Sequence, residues 1–555
     1  MSSKKRKITE DKDSREEGRC TFYNEKKKRT CRQLLSPKVP EPFASEPNFK
    51  NLYCGNHSNM YSTLFKDRKQ QKGIHCNESR GKRIPCPIDP SHMIFENNVK
   101  VHILKCPKAM NEIKERQRVY YKHDINTGGC GELQFRDVKG EVDAQNLVRR
   151  ILRAYRNTFM MSSSSSDPIK DDDVDIDVSS LTLEEMYGAI PLDSMFTAAE
   201  EKGLESMIAT HRVKIGGKKH MEQIGSLVGH IRRHDNLLKS DTVLEMGAGR
   251  ATTGFAVSGV CAAEKQDKVK LVVVERGGAR SKADSAARRI INSNATSEND
   301  PISTTTVGGD KEYFRGDGVD FHRIKCDLAH VSIPHAMAEV EGGVLLCQEV
   351  NTVDNTSNAT GHKDEKRNVL VIAKHLCGAG TDLALKSIVP IRHRINGYIL
   401  ATCCHGVCSW DLYVGRDFLG NAMCSASEKG ESFGEAEFKY FRRWSTGTVV
   451  GDRQYKGSDN DRKEKESDAD TEHPNNDEGD EFIIGVSQIA SLMNLKCGAE
   501  GLGRACQRLI DYGRCEYMRK ELLGNDGRVS LSHYVDRNVT PQNAMLFGIA
   551  EQCQE

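Results

Sequence analysis

Val243-Leu-Glu-Met-Gly-Ala-Gly-Arg250 reads as an apolar strand that carries an acid, Glu245, to its carboxyl end and then turns on two glycines. Gly247 and Gly249 permit a tight bend and let a ligand lie against the main chain, where a side chain would clash. A dinucleotide fingerprint requires a third glycine three positions after Gly249, and Thr252 stands there. The pattern suits a ligand that brings an ammonium rather than a pyrophosphate to the turn.

Two further strands repeat the arrangement. Lys270-Leu-Val-Val-Val-Glu275 ends in an acid placed to accept from the hydroxyls of a ribose. Phe321-His-Arg-Ile-Lys-Cys-Asp327 offers a third acid, placed to accept from an adenine amino group. Any one of these is an ordinary strand-end residue. Three in succession, on alternating strand and helix patterns, favour a nucleoside pocket at the carboxyl edge of a parallel sheet. S-adenosylmethionine (SAM) combines the ammonium and the adenosine. Glu245, Gly247, Gly249, Glu275 and Asp327 are therefore its expected contacts.

The next two strands carry chemistry. Val369-Leu-Val-Ile-Ala-Lys374-His375-Leu-Cys377-Gly378 and Ile399-Leu-Ala-Thr-Cys403-Cys404-His405-Gly406 both end in basic and thiol side chains. Removing a proton from a ribose hydroxyl calls for a buried lysine or a histidine, with a second cation to stabilise the alkoxide. Lys374 and His405 are the leading pair, with His375 beside them. Cys403, Cys404, His405 and Cys408 could instead bind a metal, although neighbouring strand residues point to opposite faces and crowd a tetrahedron. Small residues filling a tight strand end are a third reading.

The amino-terminal third differs in character. Of the chain's 555 residues 19 are Cys, and its 81 Lys and Arg nearly balance its 79 Asp and Glu. Over residues 1 to 160, however, basic residues exceed acidic ones by roughly fifteen, which points to a polyanion, most simply nucleic acid. No apolar run reaches the ~18 to 20 residues that cross a bilayer, and the first residues are too polar for a secretory signal. An intracellular protein without a membrane partner is the expectation, so the cysteines read as thiols or metal ligands. Cys86-x5-His92-x9-His102-x3-Cys106 has the composition of a closed structural zinc site, with Asn97 or Asn98 capping a helix that presents His102 and Cys106 on one face. Cys20-x10-Cys31-x22-Cys54-x2-His57 has one tight pair and loose outer gaps, and spacing alone leaves it open.

The expected organisation is a basic tail (1–17), a first Cys/His module (18–60), a second (83–110), a helical connector (111–160), a polar linker (161–180) and a catalytic domain (181–555). Helices are expected over Leu181 to Met207 and Lys219 to Ile231. Hydrophilic insertions are expected near 293–312, 351–366 and 452–480. Lys4-Lys-Arg-Lys7 could direct nuclear import, so nucleus, cytoplasm or both remain open.

Taken together, these motifs resemble the eukaryotic tRNA ribose 2′-O-methyltransferases that act on the fourth nucleotide of the acceptor stem. The resemblance rests on the order of the two Cys/His modules and on Lys219-His220, Glu245 to Arg250, Lys374 to Gly378 and Ala401 to His405. It extends to Cys408-Ser-Trp410, Tyr413-Val-Gly415 and Arg508-Leu-Ile-Asp-Tyr-Gly-Arg514. The second module is similar to a finger shared with a minor-spliceosome protein. The resemblance implies an α/β, Rossmann-like SAM-dependent methyltransferase domain and two small zinc-stabilised modules holding two structural ions. It also implies tRNA as partner, with Trp410, Tyr413, Arg508 and Arg514 as candidates for positioning the ribose and phosphates. Two positions depart from the family pattern: Gly406 stands where a second histidine is usual, and Ala251 where a glycine is common. A methyltransferase acting on a protein or small molecule, or an RNA-binding protein without catalysis, is the alternative.

Overall fold

The computed structural model describes residues 23–24, 29–30, 83–90, 92–128, 142–161, 178–211, 213, 215–277, 313–342, 367–424, 433–447, 483–524 and 527–550. Cys20, Cys31, Cys54 and His57 lie outside the described residues, as do the tail, the three insertions and nearly all of the polar linker. The chain divides into two compact units, residues 1–111 and 112–555. No helix among the described residues is long and apolar enough to cross a membrane.

The second unit is a mixed α/β structure on one seven-stranded sheet. Its strands are β1 (Thr242–Met246), β2 (Val269–Val274), β3 (Val319–Ile324), β4 (Val369–Cys377), β5 (Ile395–Cys403), β6 (Arg528–His533) and β7 (Ala544–Ile549). They lie in the order β6-β7-β5-β4-β1-β2-β3. From β5 to β3 every neighbour is parallel, whereas β7 runs antiparallel to β5 and β6 antiparallel to β7. The central strands are apolar on both faces, as a sheet covered on both sides requires. Val243, Leu271, Val273, Leu370 and Ile372 enter one core cluster. Leu244, Met246, Val272, Val274 and Val371 enter the other. Strand β6 alternates exposed and half-buried residues along its first four positions, which suits an edge.

The helices of the second unit include α1 (Ala144–Phe159), α2 (Lys218–Arg232), α3 (Thr252–Lys265), α4 (Ile333–Glu341), α5 (Ala379–Ile388), α6 (Glu435–Trp444) and α7 (Gly498–Tyr517). Helix α1 starts where the Asp143 carboxylate accepts from the amides of Gln145 and Asn146. Its stripe of Leu147, Val148, Ile151, Leu152 and Tyr155 is buried with Leu502, Ala505 and Leu509 of α7 and Phe441 and Trp444 of α6. The stretch read as a connector is thus packed into the second unit. The single helix expected over Leu181 to Met207 is two, Leu183–Gly188 and Ala198–His211. Pro191, which lacks an amide donor, falls in the break between them.

In the first unit, the strands Arg83–Pro85 and Met93–Phe95 pair antiparallel, and a short helix follows at Val99–Ile103. Asn98 is its N-cap residue but makes no side-chain cap bond. The helix ends before Cys106, which sits just ahead of the next helix at Pro107, so His102 and Cys106 do not share one helical face. The apolar residues here are few: Ile94 is buried with the two cysteines, and Ile84, Ile88, Val99 and Ala109 cover them. So small a core holds only if something else ties it together.

Candidate active site

Strand order reverses between β1 and β4, and the loops leaving their carboxyl ends form the crevice where open α/β sheets bind ligands. The turn after β1 fills one side. Both Gly247 (φ +63°) and Gly249 (φ +48°) are left-handed, the conformation that favours glycine. A Cβ on Gly247 would come 2.4 Å from Leu376 Cδ1, while one on Gly249 would meet no atom within 4 Å. The backbone at Gly249 therefore faces open space.

The turn is braced from three directions. The amides of Gly247 and Ala248 donate to the Val274 carbonyl at the end of β2. The Gly249 amide donates to Glu275 Oε2 at 2.7 Å, and Gly277 donates to the other carboxylate oxygen at 2.6 Å. Arg323 Nη1 donates to the Gly249 carbonyl at 3.2 Å. Arg323 was not singled out in the sequence, since nothing in an alternating strand marks one cation as a loop brace. Asp327 lies past the end of β3, where it accepts from Arg276 Nη1 at 3.3 Å and from the Ala329 amide. Glu275 and Asp327 thus line one rim, with acceptor capacity remaining on both carboxylates. Ala251 takes the left-handed conformation without being glycine (φ +58°) and is wholly buried.

Glu245 is inside. It accepts from the Gly254 amide in the first turn of α3 at 3.1 Å, and burial pushes its carboxyl up to about 8 against that bond and the charges of Arg323 and Lys374. Lys374, 8% exposed, is driven down by burial to about 8, against the opposing pull of Glu245 and Cys403. The two groups act on each other and titrate as a pair.

Strand β4 bulges directly after Lys374. Lys374 pairs with Ala401 and Leu376 with Thr402, so the residue between, His375, is extra. The bulge reverses the alternation. Leu376 joins the core beside Ala373, and Lys374 stays on the Ile372 side with the Glu245 strand face. The His375 side chain lies outside the described residues.

His405, expected to share proton transfer with Lys374, is turned away from the crevice. Its side chain has no exposure, and its Nε2 lies 2.9 Å from Asp511 Oδ1 on α7. The reason is a buried charge network that includes Arg508 and Arg514, the two candidates for positioning the ribose and phosphates. Arg514 grips Asp382 of α5 with Nε and Nη2, at 3.1 and 2.7 Å, and donates to the Gly378 carbonyl at 3.0 Å. Asp511 also accepts from Arg514 Nη1 and Thr402 Oγ1, with Arg508 Nη1 at 3.6 Å. Burial by itself would raise Asp511, but the charge and hydrogen bond of His405, then Arg514 and Arg508, outweigh it and hold the carboxyl at about 2. Arg508 and Arg514 are fully buried and so cannot contact phosphates, contrary to the expectation. Tyr413 is a core ring with its hydroxyl on the Ile510 carbonyl, whereas Trp410 is half-buried and packs on Phe433 and Phe438 at the edge of the same core. At the position usually held by histidine, a Cβ on Gly406 would face Thr446 Cγ2 at 3.3 Å.

Gly378 joins β4 to α5. It has φ +48°, and a Cβ there would lie 2.5 Å from the Val407 backbone. Gly378→Ala is expected to cost roughly 2–4 kcal/mol, from left-handed strain plus a backbone clash that no side-chain rotation relieves. Urea unfolding checks this, and an unchanged midpoint contradicts it.

In the first unit, Cys86, His92, His102 and Cys106 converge: their ligand atoms all lie within 4.8 Å of one another. His102 Nε2 is 3.0 Å from His92 Nε2 and 3.2 Å from Cys86 Sγ, and the two sulfurs are 3.9 Å apart. Asp89 lies 3.6 Å from His92 Nδ1, an orientation that leaves Nε2 for a metal. Two thiols and two imidazoles around one point fit a closed tetrahedral zinc site.

Comparison with known proteins places both regions of the chain in families. The family model described as methyltransferase TRM13 matches residues 222–346 and 349–549, which contain every strand of the sheet. The chain belongs to the TRM13 methyltransferase family. Residues 83–107 match the U11-48K-like CHHC zinc finger. Relatives named tRNA:m(4)X modification enzyme TRM13 homolog occur in Mus musculus (22% identical, over 96% of this chain and 94% of the relative) and Homo sapiens (23%, over 96% and 95%). The Saccharomyces cerevisiae tRNA:m(4)X modification enzyme TRM13 is 22% identical over 95% of each chain. No solved structure matches.

Proposed function

We propose that this protein transfers a methyl group from SAM to the ribose 2′-hydroxyl of the fourth nucleotide of the tRNA acceptor stem. The observation that carries the reading is the meeting of an open glycine turn and a buried, low-pKa lysine at one switch point, in a TRM13 methyltransferase. The names of the mouse, human and yeast relatives supply a tRNA modification written m(4)X, and the ribose and the fourth nucleotide follow from the family resemblance of the motifs. The sheet is Rossmann-like in this reading: β3-β2-β1-β4-β5 follows the order of dinucleotide-binding folds, with the β6–β7 hairpin closing one edge.

When bound, SAM supplies an electrophilic methyl group and leaves as S-adenosylhomocysteine. The open backbone at Gly249 admits its amino-acid end, Glu275 accepts from its ribose, Asp327 stands toward its base, and Glu245 beneath the turn sets the local charge. Neutral Lys374 takes the proton from the 2′-hydroxyl as that oxygen attacks, and later releases it to solvent. His405, held by Asp511, positions the β5 end rather than moving the proton. A-form RNA presents 2′-hydroxyls in its shallow minor groove, so no base need be flipped out. The basic amino-terminal region, with the CHHC finger and a second zinc module at Cys20, Cys31, Cys54 and His57, grips the acceptor stem and makes binding salt-dependent. Lys4 to Lys7 would allow work in the nucleus as well as the cytoplasm.

The test is methyl transfer from labelled SAM to unmodified tRNA transcripts, with the product mapped by nucleoside mass. A ribose-methylated nucleotide 4 is the expected product. Label on a base, or on added protein but on no tRNA, overturns the reading.

A further inference from the structure

Lys374 and the glycine turn leave one feature of the crevice unused: the sulfurs at the ends of β4 and β5. Cys377 and Cys403 are register partners on these neighbouring strands, with their sulfurs 3.8 Å apart. Cys404 adds a third, and all three sulfurs lie within 4.8 Å of one another. Strand alternation would send the side chains of 403 and 404 to opposite faces. Here the strand ends at Cys403, and Cys404 takes a left-handed conformation (φ 50°, ψ 46°), which brings its thiol back toward the others. The two remaining candidates in this stretch point elsewhere, since His405 is held by Asp511 and Cys408 is buried against Arg514 Nη2 at 3.4 Å.

We propose that Cys377, Cys403 and Cys404 form a three-thiolate site for a soft, zinc-type cation, separate from the CHHC finger. A tetrahedral ion with metal–sulfur bonds of about 2.3 Å places its sulfurs about 3.8 Å apart. Cys377 and Cys403 have that separation, and the CHHC finger of the same chain sets its own sulfurs at 3.9 Å. Thiolate-only ligation selects zinc or copper(I) over hard oxygen-seeking cations. Binding would displace the thiol protons to solvent and lock the two strand ends together. Among the described residues no fourth Cys, His, Asp or Glu joins the three. Cys377 and Cys404 are exposed, which gives an ion a way in. A disulfide would use only two of the three sulfurs and leaves the convergence of the third without a role.

The test counts zinc per chain in the full-length protein, purified under reducing conditions without chelator. Cys377→Ser/Cys404→Ser is expected to carry one zinc fewer than the parent. Cys106→Ser is expected to lose a different one, so that combining the changes adds the losses. Circular dichroism confirms that each variant is folded. Should the double variant not fold, Cys404→Ser alone, at an exposed position, should release one zinc to a chelator faster than the parent. Equal zinc content and equal release overturn the proposal, as does a Cys377–Cys403 disulfide found by mass mapping of the reduced-purified protein.

Discussion

Lys374→Met is expected to lower methyl transfer by about 100- to 10,000-fold, the usual contribution of a positioned general base, while SAM affinity changes little. Methionine keeps the apolar length of the side chain, so the buried stem retains its packing while the amine is lost. The base must be neutral to act, and burial has already moved it to about 8. Activity of the parent should therefore rise with pH through about 8 and then level. Because Glu245 also stands near 8 and its charge acts on Lys374, the apparent value belongs to the pair. Glu245→Gln, which removes the carboxylate's stabilising charge, should shift the rising limb to lower pH. Single-turnover rates against pH measure both effects. Undiminished turnover in Lys374→Met would remove this lysine from the mechanism.

Asp511→Asn should destabilise the protein by about 3–5 kcal/mol, the range seen when one partner of a buried ion pair is removed. Two carboxylates, Asp382 and Asp511, face Arg508 and Arg514, all four without side-chain exposure. Losing one carboxylate leaves a buried guanidinium uncompensated and takes the partner from His405. Replacing Arg508 with Met in the same chain removes the surplus charge, so the double variant should recover part of the loss. The same group sets an acid limit. Asp511 is held near 2, below its ordinary 3.8, so its stabilisation is complete above about pH 4 and is lost as pH falls toward 2. Urea melts of the single and double variants, repeated across that window, give both numbers. Simple additivity of the two substitutions would mean that the charges do not interact.

What the sequence made legible were the features with a local signature. The strands carrying Glu245, Glu275, Lys374 and Cys403 are runs of β-branched and aliphatic residues ending in chemistry-bearing side chains, and they lie side by side as read. The CHHC spacing likewise marked ligands that converge in space. The charges of α7 were misread because exposure has no local signature. Arg508, Asp511 and Arg514 stand at three-residue spacing on a helix, which fits a solvated stripe as well as a buried one. The deciding partners, Asp382 and Thr402, come from elements more than a hundred residues away. His405 was misassigned for the same reason, its partner being Asp511. The β-bulge at His375 left no mark in the run of residues around it, yet it decides which face Leu376, and not Lys374, takes. The β6–β7 hairpin was not anticipated, because alternating exposure at an edge strand gives a weak apolar pattern.

The measurement that tests the central claim most directly uses two forms of one tRNA substrate, identical except that nucleotide 4 of the second carries 2′-deoxyribose. The account predicts methyl transfer to the first and none to the second, with both forms binding and competing equally. Transfer to both at the same rate would show that the ribose hydroxyl at that position is not the acceptor, and would contradict the account.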